Sequence, residues 1–232
     1  MSNDKDMSIN KNSMVILPLL LAMLAALSNG FPQPSADPAA VMVPGNCCSP
    51  DVIFIIDITD GIGFSRYNCE SEIRVFLREI IRRASPEGSC NEIRAAVVEY
   101  GTKARIKFDF NKFPTTDKLI NGLRHYSTGM SLGSFSNAKA GFAGSKILLS
   151  RASRGRRHNN PAFIFWLVNS TPLEPHLVLE YVNNYIKPFT SGISVIAVGD
   201  GVEFLRIRPI ASNLNYAFNV NFFFTNILTN HF

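Results

Sequence analysis

The chain has 232 residues, 46% of them hydrophobic, with 23 Lys and Arg against 18 Asp and Glu, giving a formal charge of +5. This composition excludes a disordered or strongly acidic chain, and a sequence pI near 9.1 is too modest to signal nucleic-acid binding. No segment after residue 30 reaches the roughly 20 apolar residues that a membrane-spanning helix takes.

Residues 1–30 read as a secretory signal. Lys5 and Lys11 precede the apolar stretch Met14 to Leu27, and Ser28 and Gly30 supply small residues for cleavage. The polar leader is long for a signal, so retention as an anchor is the alternative. Residues 31–50 carry Pro32, Pro34, Pro38, Pro44 and Pro50 among small residues and read as an extended linker. One domain, residues 51–229, then has the length of a single α/β unit.

That domain opens on Asp51-Val-Ile-Phe-Ile-Ile-Asp57-Ile-Thr59-Asp60-Gly61. Its unbroken apolar centre predicts a parallel strand covered on both faces, because alternation is expected only where one face meets water. Open α/β sheets bind ligands at the carboxyl ends of such strands, where Asp57, Thr59 and Asp60 stand. Ile73, Phe76, Leu77, Ile80 and Ile81 then recur at helical spacing, with Arg74, Arg78, Arg82 and Arg83 largely on the outer side. Glu70–Arg74 and Glu79–Arg83 have the favourable i, i+4 order, and Pro86 and Gly88 stop the helix.

Ile93 to Tyr100 and Ala104 to Phe108 read as strands joined by a turn too short for a crossover, so the second is an antiparallel edge. Thr116 to Leu123 and Ala138 to Leu149 read as helices, the latter weakened by Gly141 and Gly144. Ala162 to Val168 is a second continuous apolar strand, ending at Asn169-Ser170-Thr171. Glu174 to Phe189 should be largely helical, and Gly192 to Val198 another parallel strand. Phe204 to Ala211 follows as a short helix, Tyr216 to Val220 as an edge strand, and Phe222 to Leu228 as a terminal helix. The predicted fold is α/β and doubly wound, a mostly parallel central sheet with one antiparallel edge strand and helices on both faces.

Cys47, Cys48, Cys69 and Cys90 favour disulfides over metal or redox chemistry in a secreted chain. Cys48 and Cys90 each lead into a strand at the same edge of the sheet, which favours pairing Cys90 with Cys48 or with its neighbour Cys47, although three complete pairings exist. An unpaired cysteine linking two chains is the assembly alternative, and non-reducing electrophoresis would reveal it. The basic segment Arg151, Arg154, Arg156, Arg157 and His158 reads as an exposed loop, a candidate contact for a sulfated polysaccharide or acidic protein surface. Arg154-Gly-Arg156-Arg157 is also similar to a convertase cleavage pattern. Asn169-Ser170-Thr171 is a glycosylation acceptor, disfavoured by Pro172.

Taken together, the chain from Asp51 to Leu228 resembles the von Willebrand factor type A domain. Asp57-Ile-Thr59-Asp60-Gly61 stands where that family has Asp-x-Ser-x-Ser. Tyr126-Ser-Thr-Gly129-Met-Ser131 stands at its glycine-rich loop ending in threonine, and Leu167-Val-Asn169-Ser170 at its Ile-Thr-Asp-Gly. Ala197-Val-Gly199-Asp-Gly201 and Ile210-Ala-Ser212 are similar to its later features. The resemblance implies a metal-ion-dependent adhesion site in which Mg²⁺ takes an acidic residue of a partner as one ligand, with Asp57, Thr59 and Ser131 as this chain's donors. Gly61 and Asn169 depart from the pattern, removing a hydroxyl and a carboxylate, while Asp60 adds a carboxylate nearby.

An enzyme on a Rossmann-like sheet is the remote alternative. Gly61-Ile-Gly63-Phe-Ser-Arg66 partly imitates a dinucleotide loop, but Arg66 occupies its third glycine position. His125, His158, His176 and His231 make no metal-ligand spacing, and no nucleophile elbow or phosphate loop occurs. The expectation is therefore a secreted, extracellular, non-enzymatic binding module for adhesion or matrix assembly. Its partner is an extracellular protein or matrix component, possible Mg²⁺ aside, and not nucleic acid. Cation-independent binding through a side surface or the basic loop is favoured over capture at the Asp57, Thr59 and Ser131 face.

Overall fold

Seven consecutive buried residues, Asp51–Asp57, form β1, and a strand without a polar face can be accommodated only in the middle of a covered sheet. In the computed structural model, residues 50–59, 69–85, 92–128, 131–158, 160–199 and 201–220 are described, without the side chains of 69–72 and 220. All lie in one compact unit, Val43–Phe232. The expected signal, linker and terminal helix, the four cysteine side chains and the Glu70–Arg74 pair fall outside the described residues and side chains.

β2 (Arg94–Tyr100), β3 (Ala104–Phe108), β4 (Ala162–Val168), β5 (Gly192–Val198) and β6 (Ala217–Val220) join β1 in the order β3-β2-β1-β4-β5-β6. All pairings are parallel except β2 with β3. The chain leaves β1 toward β2 on one side and returns to β4 on the other, so the strand order reverses at β1. The crevice beyond the carboxyl ends of β1 and β4 is thus the topological switch point.

Among the described residues, five helices accompany the sheet: α1 (Cys69–Ala84), α2 (Thr116–Arg124), α3 (Ala138–Ser150), α4 (Pro175–Tyr185) and the single-turn α5 (Phe204–Ile207). Asn137 caps α3 by accepting from the Ala140 amide at 3.2 Å, and Pro175 starts α4 where its missing N–H is not needed. α3 and α4 cover the face built from Ile53 and Ile55 of β1, Val98 and Tyr100 of β2, and Trp166 of β4. Phe54 of β1 stacks on Phe165 of β4 at 5.6 Å on the opposite face, where residues of both strands are buried too.

Gly141 and Gly144 allow α3 to approach β1 and β2 closely. A Cβ at Gly141 would lie 2.9 Å from the Tyr100 ring and one at Gly144 2.8 Å from Val98 Cγ1. The edge strand β3 carries Arg105 and Lys107, both paired with the buried Glu99, which also accepts the Tyr126 hydroxyl at 2.8 Å. Charges along an exposed edge hinder pairing with another chain.

Two expected helices end early, each at a proline. α4 stops at Tyr185 and a 3₁₀ turn, Lys187–Phe189, replaces its expected last turn, because Pro188 disfavours helical geometry in the residue before it. Likewise the expected Phe204 to Ala211 helix ends at Ile207 and continues as a 3₁₀ turn over Arg208–Ile210, around Pro209.

Candidate functional site

At the switch point, β1 delivers Asp57 with its side chain fully buried, and Thr59 follows at 3% exposure. The Thr59 amide and hydroxyl both donate to Asp57 Oδ1, at 3.1 and 2.9 Å. The other oxygen, Oδ2, accepts from the Ser136 hydroxyl at 2.8 Å and the Ser170 hydroxyl at 3.2 Å. Thus both carboxylate oxygens are held by this chain's own donors. Burial raises the pKa of Asp57 above its ordinary value, and these hydrogen bonds oppose that shift.

Asn169, directly after β4, is 4% exposed and places Oδ1 3.2 Å from Thr59 Oγ1. A threonine hydroxyl has one proton, and the shorter contact to Asp57 claims it. The Asn169 Nδ2 has no partner, so the amide turned about its axis would donate to Thr59 and satisfy both groups. An aspartate at this position offers no such donor. Beneath the cluster, Tyr100 is fully buried and accepts from Trp166 Nε1 at 2.8 Å. Burial, then the neighbouring Asp57 charge, pushes its phenol well above the usual range.

Of the residues expected at this site, Asp57 and Thr59 are brought together, whereas Ser131 is not among them. Ser131 is exposed and, among the described residues, bonds around its own turn, to Gly133 N at 3.1 Å and Gly133 O at 3.4 Å. Ser136 takes the place assigned to it. The sequence signal was the helix start: Ser136 immediately precedes the α3 cap, Asn137, and so lies at the sheet's carboxyl edge. Asp60 and Gly61 fall outside the described residues.

Three large apolar side chains on segments that border this cluster are strongly exposed: Phe135 at 57%, Leu173 at 72% and Leu205 at 79%. Phe135 adjoins Ser136. Leu173, in the loop after β4, and Leu205, in α5, follow segments tied together where Thr171 N donates to Gly201 O at 3.3 Å and Thr171 Oγ1 accepts the Glu203 amide. Asn169, buried within the cluster, is withdrawn from the surface where glycosylation takes place.

The basic segment lies at the other end of β1 and is not an open loop. Asp51 is fully buried; its Oδ2 accepts from Arg156 Nη1 and Arg157 N, both at 2.9 Å. Its Oδ1 accepts from Arg157 Nε at 2.9 Å and Nη2 at 2.6 Å. Arg154 pairs with Asp109 at 3.2 Å, and Arg151 alone among these four arginines forms no ion pair in the described residues. Within the segment expected to meet a polyanion, Arg156 and Arg157 are thus engaged with a buried carboxylate. The same pairing ties down the convertase-like stretch. Among the described residues, no group of three or more His, Cys, Asp or Glu side chains is placed to hold a metal, and no helix is long and apolar enough to cross a membrane.

Residues 51–229 match the von Willebrand factor type A domain family. The chain belongs to that family. Its sheet order and the position of Asp57 at the switch point fit the assignment. No functionally curated protein matches the sequence significantly. Among solved structures, proximal thread matrix protein 1 from the mussel byssus is similar with a TM-score of 0.64 at 15% identity, over 75% of this chain and 44% of that one. A second structure of that protein, with zinc in its MIDAS motif, has a TM-score of 0.60 at 17% identity, over 75% and 42%. The manganese-loaded TRAP protein of Plasmodium vivax has a TM-score of 0.57 at 14% identity, over 75% and 69%. The chain therefore spans less than half of the mussel protein's length. Similarity at these identities concerns the fold.

Proposed function

We propose that this type A domain is a secreted, non-enzymatic binding module of adhesion or matrix assembly that holds its partner without a divalent cation, at the carboxyl edge of its sheet. The observation that carries this reading is the closed hydrogen-bond set of Asp57. A hard cation binds through oxygen lone pairs and commonly through one or two carboxylates. Here the described side chains offer one carboxylate, already engaged at both oxygens, three hydroxyls and one amide. They fit a divalent cation poorly: Asn169 supplies no charge, and its amide can complete the network that a second aspartate would need a cation to complete.

The bordering segments support the same reading. A site that captures an acidic side chain on a metal has no need of three exposed apolar groups, whereas Phe135, Leu173 and Leu205 are large apolar side chains of the kind that a protein partner buries at the core of an interface. The mussel protein, by its name a thread matrix protein, and the Lys-led apolar leader of the sequence favour an extracellular matrix setting. Calorimetric titration of the full chain with MgCl₂ and MnCl₂ tests the proposal. No saturable heat is expected, with or without Asp57→Ala. Saturable heat that Asp57→Ala abolishes would establish the competing reading, Mg²⁺-dependent capture of an acidic residue.

A further inference from the structure

Arg156 and Arg157 share the single carboxylate of Asp51, and among the described residues this basic chain has cations without a carboxylate partner elsewhere. α3 contains Lys139 and Lys146 and no carboxylate. α4, packed beside it, presents Tyr181 and Tyr185 one helical turn apart, their ring centroids separated by 5.0 Å. Lys139 Nζ lies 5.7 Å from the Tyr181 centroid, and Lys146 Nζ lies 4.3 Å from that of Tyr185.

These contacts hold two ammonium groups over two rings, in the geometry of cation–π attraction. A ring contacts one side of an ammonium, and the remaining N–H donors face outward. Neither lysine forms an ion pair among the described residues. The one carboxylate within α4, Glu180, lies about 100° around the helix from Tyr181, on another flank. Tyr185 is half exposed, and Phe189, in the turn after α4, is 55% exposed. Lys187 adds a third cation at that end.

We propose that the seam between α3 and α4 binds an acidic polypeptide segment, with carboxylates on Lys139 and Lys146 and an apolar side chain against Tyr185 and Phe189. Charge complementarity selects an anionic partner. The exposed rings beside the cations select polypeptide over sulfated polysaccharide, because a polypeptide supplies apolar side chains together with its carboxylates. The seam is on the flank of the sheet and does not depend on how the Asp57 cluster is used.

Fluorescence anisotropy of the full chain with a labelled peptide of repeating Asp-Glu-Phe units tests it, with poly-glutamate and a heparin oligosaccharide as comparators. Saturable binding should weaken with salt, and Lys139→Gln with Lys146→Gln should reduce it about tenfold while lowering the melting temperature by no more than a few degrees, the loss of two exposed cation–π contacts. Tyr185→Ser should weaken the Asp-Glu-Phe peptide and spare poly-glutamate. No peptide binding, or binding that the double variant leaves intact, overturns the proposal. Tighter, equally lysine-dependent binding of the heparin oligosaccharide also overturns it and makes the partner a polysaccharide.

Discussion

Replacing Asn169 with Asp probes the closed cluster directly. Thr59 Oγ1 is 2.9 Å from Asp57 Oδ1 and 3.2 Å from Asn169 Oδ1, so a carboxylate at 169 would have an oxygen no more than about 6 Å from the Asp57 charge. At an effective dielectric constant of about 20, two charges at about 6 Å repel by about 3 kcal/mol. The variant also loses a donor, leaving two carboxylates competing for one Thr59 proton. A deficit of about 3 kcal/mol lowers the melting temperature of a domain this size by about 6 to 12 °C. A cation bridging the two carboxylates would reverse the deficit, since a ligand at about 100 times its Kd returns about 2.7 kcal/mol. Differential scanning fluorimetry at neutral pH, with EDTA and with MnCl₂, should therefore show a low-melting variant rescued by Mn²⁺ beside a wild type indifferent to it. A wild type that Mn²⁺ stabilises as strongly as the variant would refute the argument, as would a variant that melts with the wild type in EDTA.

Asp51→Ala should destabilise the fold by about 3 to 5 kcal/mol in urea denaturation, the cost of leaving the partner of a buried charge uncompensated. The same change should lengthen retention on heparin by releasing Arg156 and Arg157; unchanged retention would mean these guanidiniums were already available. The raised pKa of Asp57 sets a sign for pH dependence. Relative to Asp57→Asn, the wild type should lose stability as pH rises through the folded-state pKa and hold its full contribution below the unfolded value of 3.8. An opposite slope in paired urea titrations would contradict burial as the leading cause. Gly144→Ala places a methyl 2.8 Å from Val98 Cγ1; overpacking of about 1 to 3 kcal/mol should exceed the roughly 1 kcal/mol gained in helix propensity. Adding Val98→Ala should recover part of the loss, a coupling that a double-mutant cycle measures.

Much of the fold was legible because its strands are continuous apolar runs closed by polar residues or glycine. β3, β4 and β5 begin and end where the pattern placed them, and the short Gly101-Thr102 connection required the antiparallel edge that β3 forms. What the pattern obscured was the role of contacts distant in sequence. Gly141 and Gly144 read locally as flaws in a helix, whereas they mark where α3 lies against Tyr100 and Val98. The arginines after α3 read as solvated because nothing in their own segment neutralises them. Their partner, Asp51, is 105 positions from Arg156 and looked like the first residue of an apolar strand.

The site divides the same way, and the division bears on function. Asp57 and Thr59 were legible because a strand end fixes them, whereas Ser131 was placed from the glycine of its loop and lies apart from Asp57 in the structure. A hydroxyl just before a helix cap is held in position by the cap itself, which is why Ser136 reaches Asp57 while Ser131 turns back on Gly133. β1 thus joins two buried carboxylates of different character, about 20 Å apart by strand rise. Asp51 is neutralised by guanidiniums and closes the base of the domain. Among the described residues Asp57 is met only by neutral donors and by no cationic side chain, and it lies at the edge whose bordering segments carry the exposed apolar side chains. Asp57 is already out of contact with water, but a partner segment covering this edge displaces the more distant solvent that screens its charge and so raises its pKa further; binding at this edge should therefore tighten as pH falls toward the folded-state pKa of Asp57, with proton uptake accompanying it. Capture of an acidic residue on a cation would instead weaken as protons compete for the carboxylates, so the direction of the pH effect separates the two modes of binding.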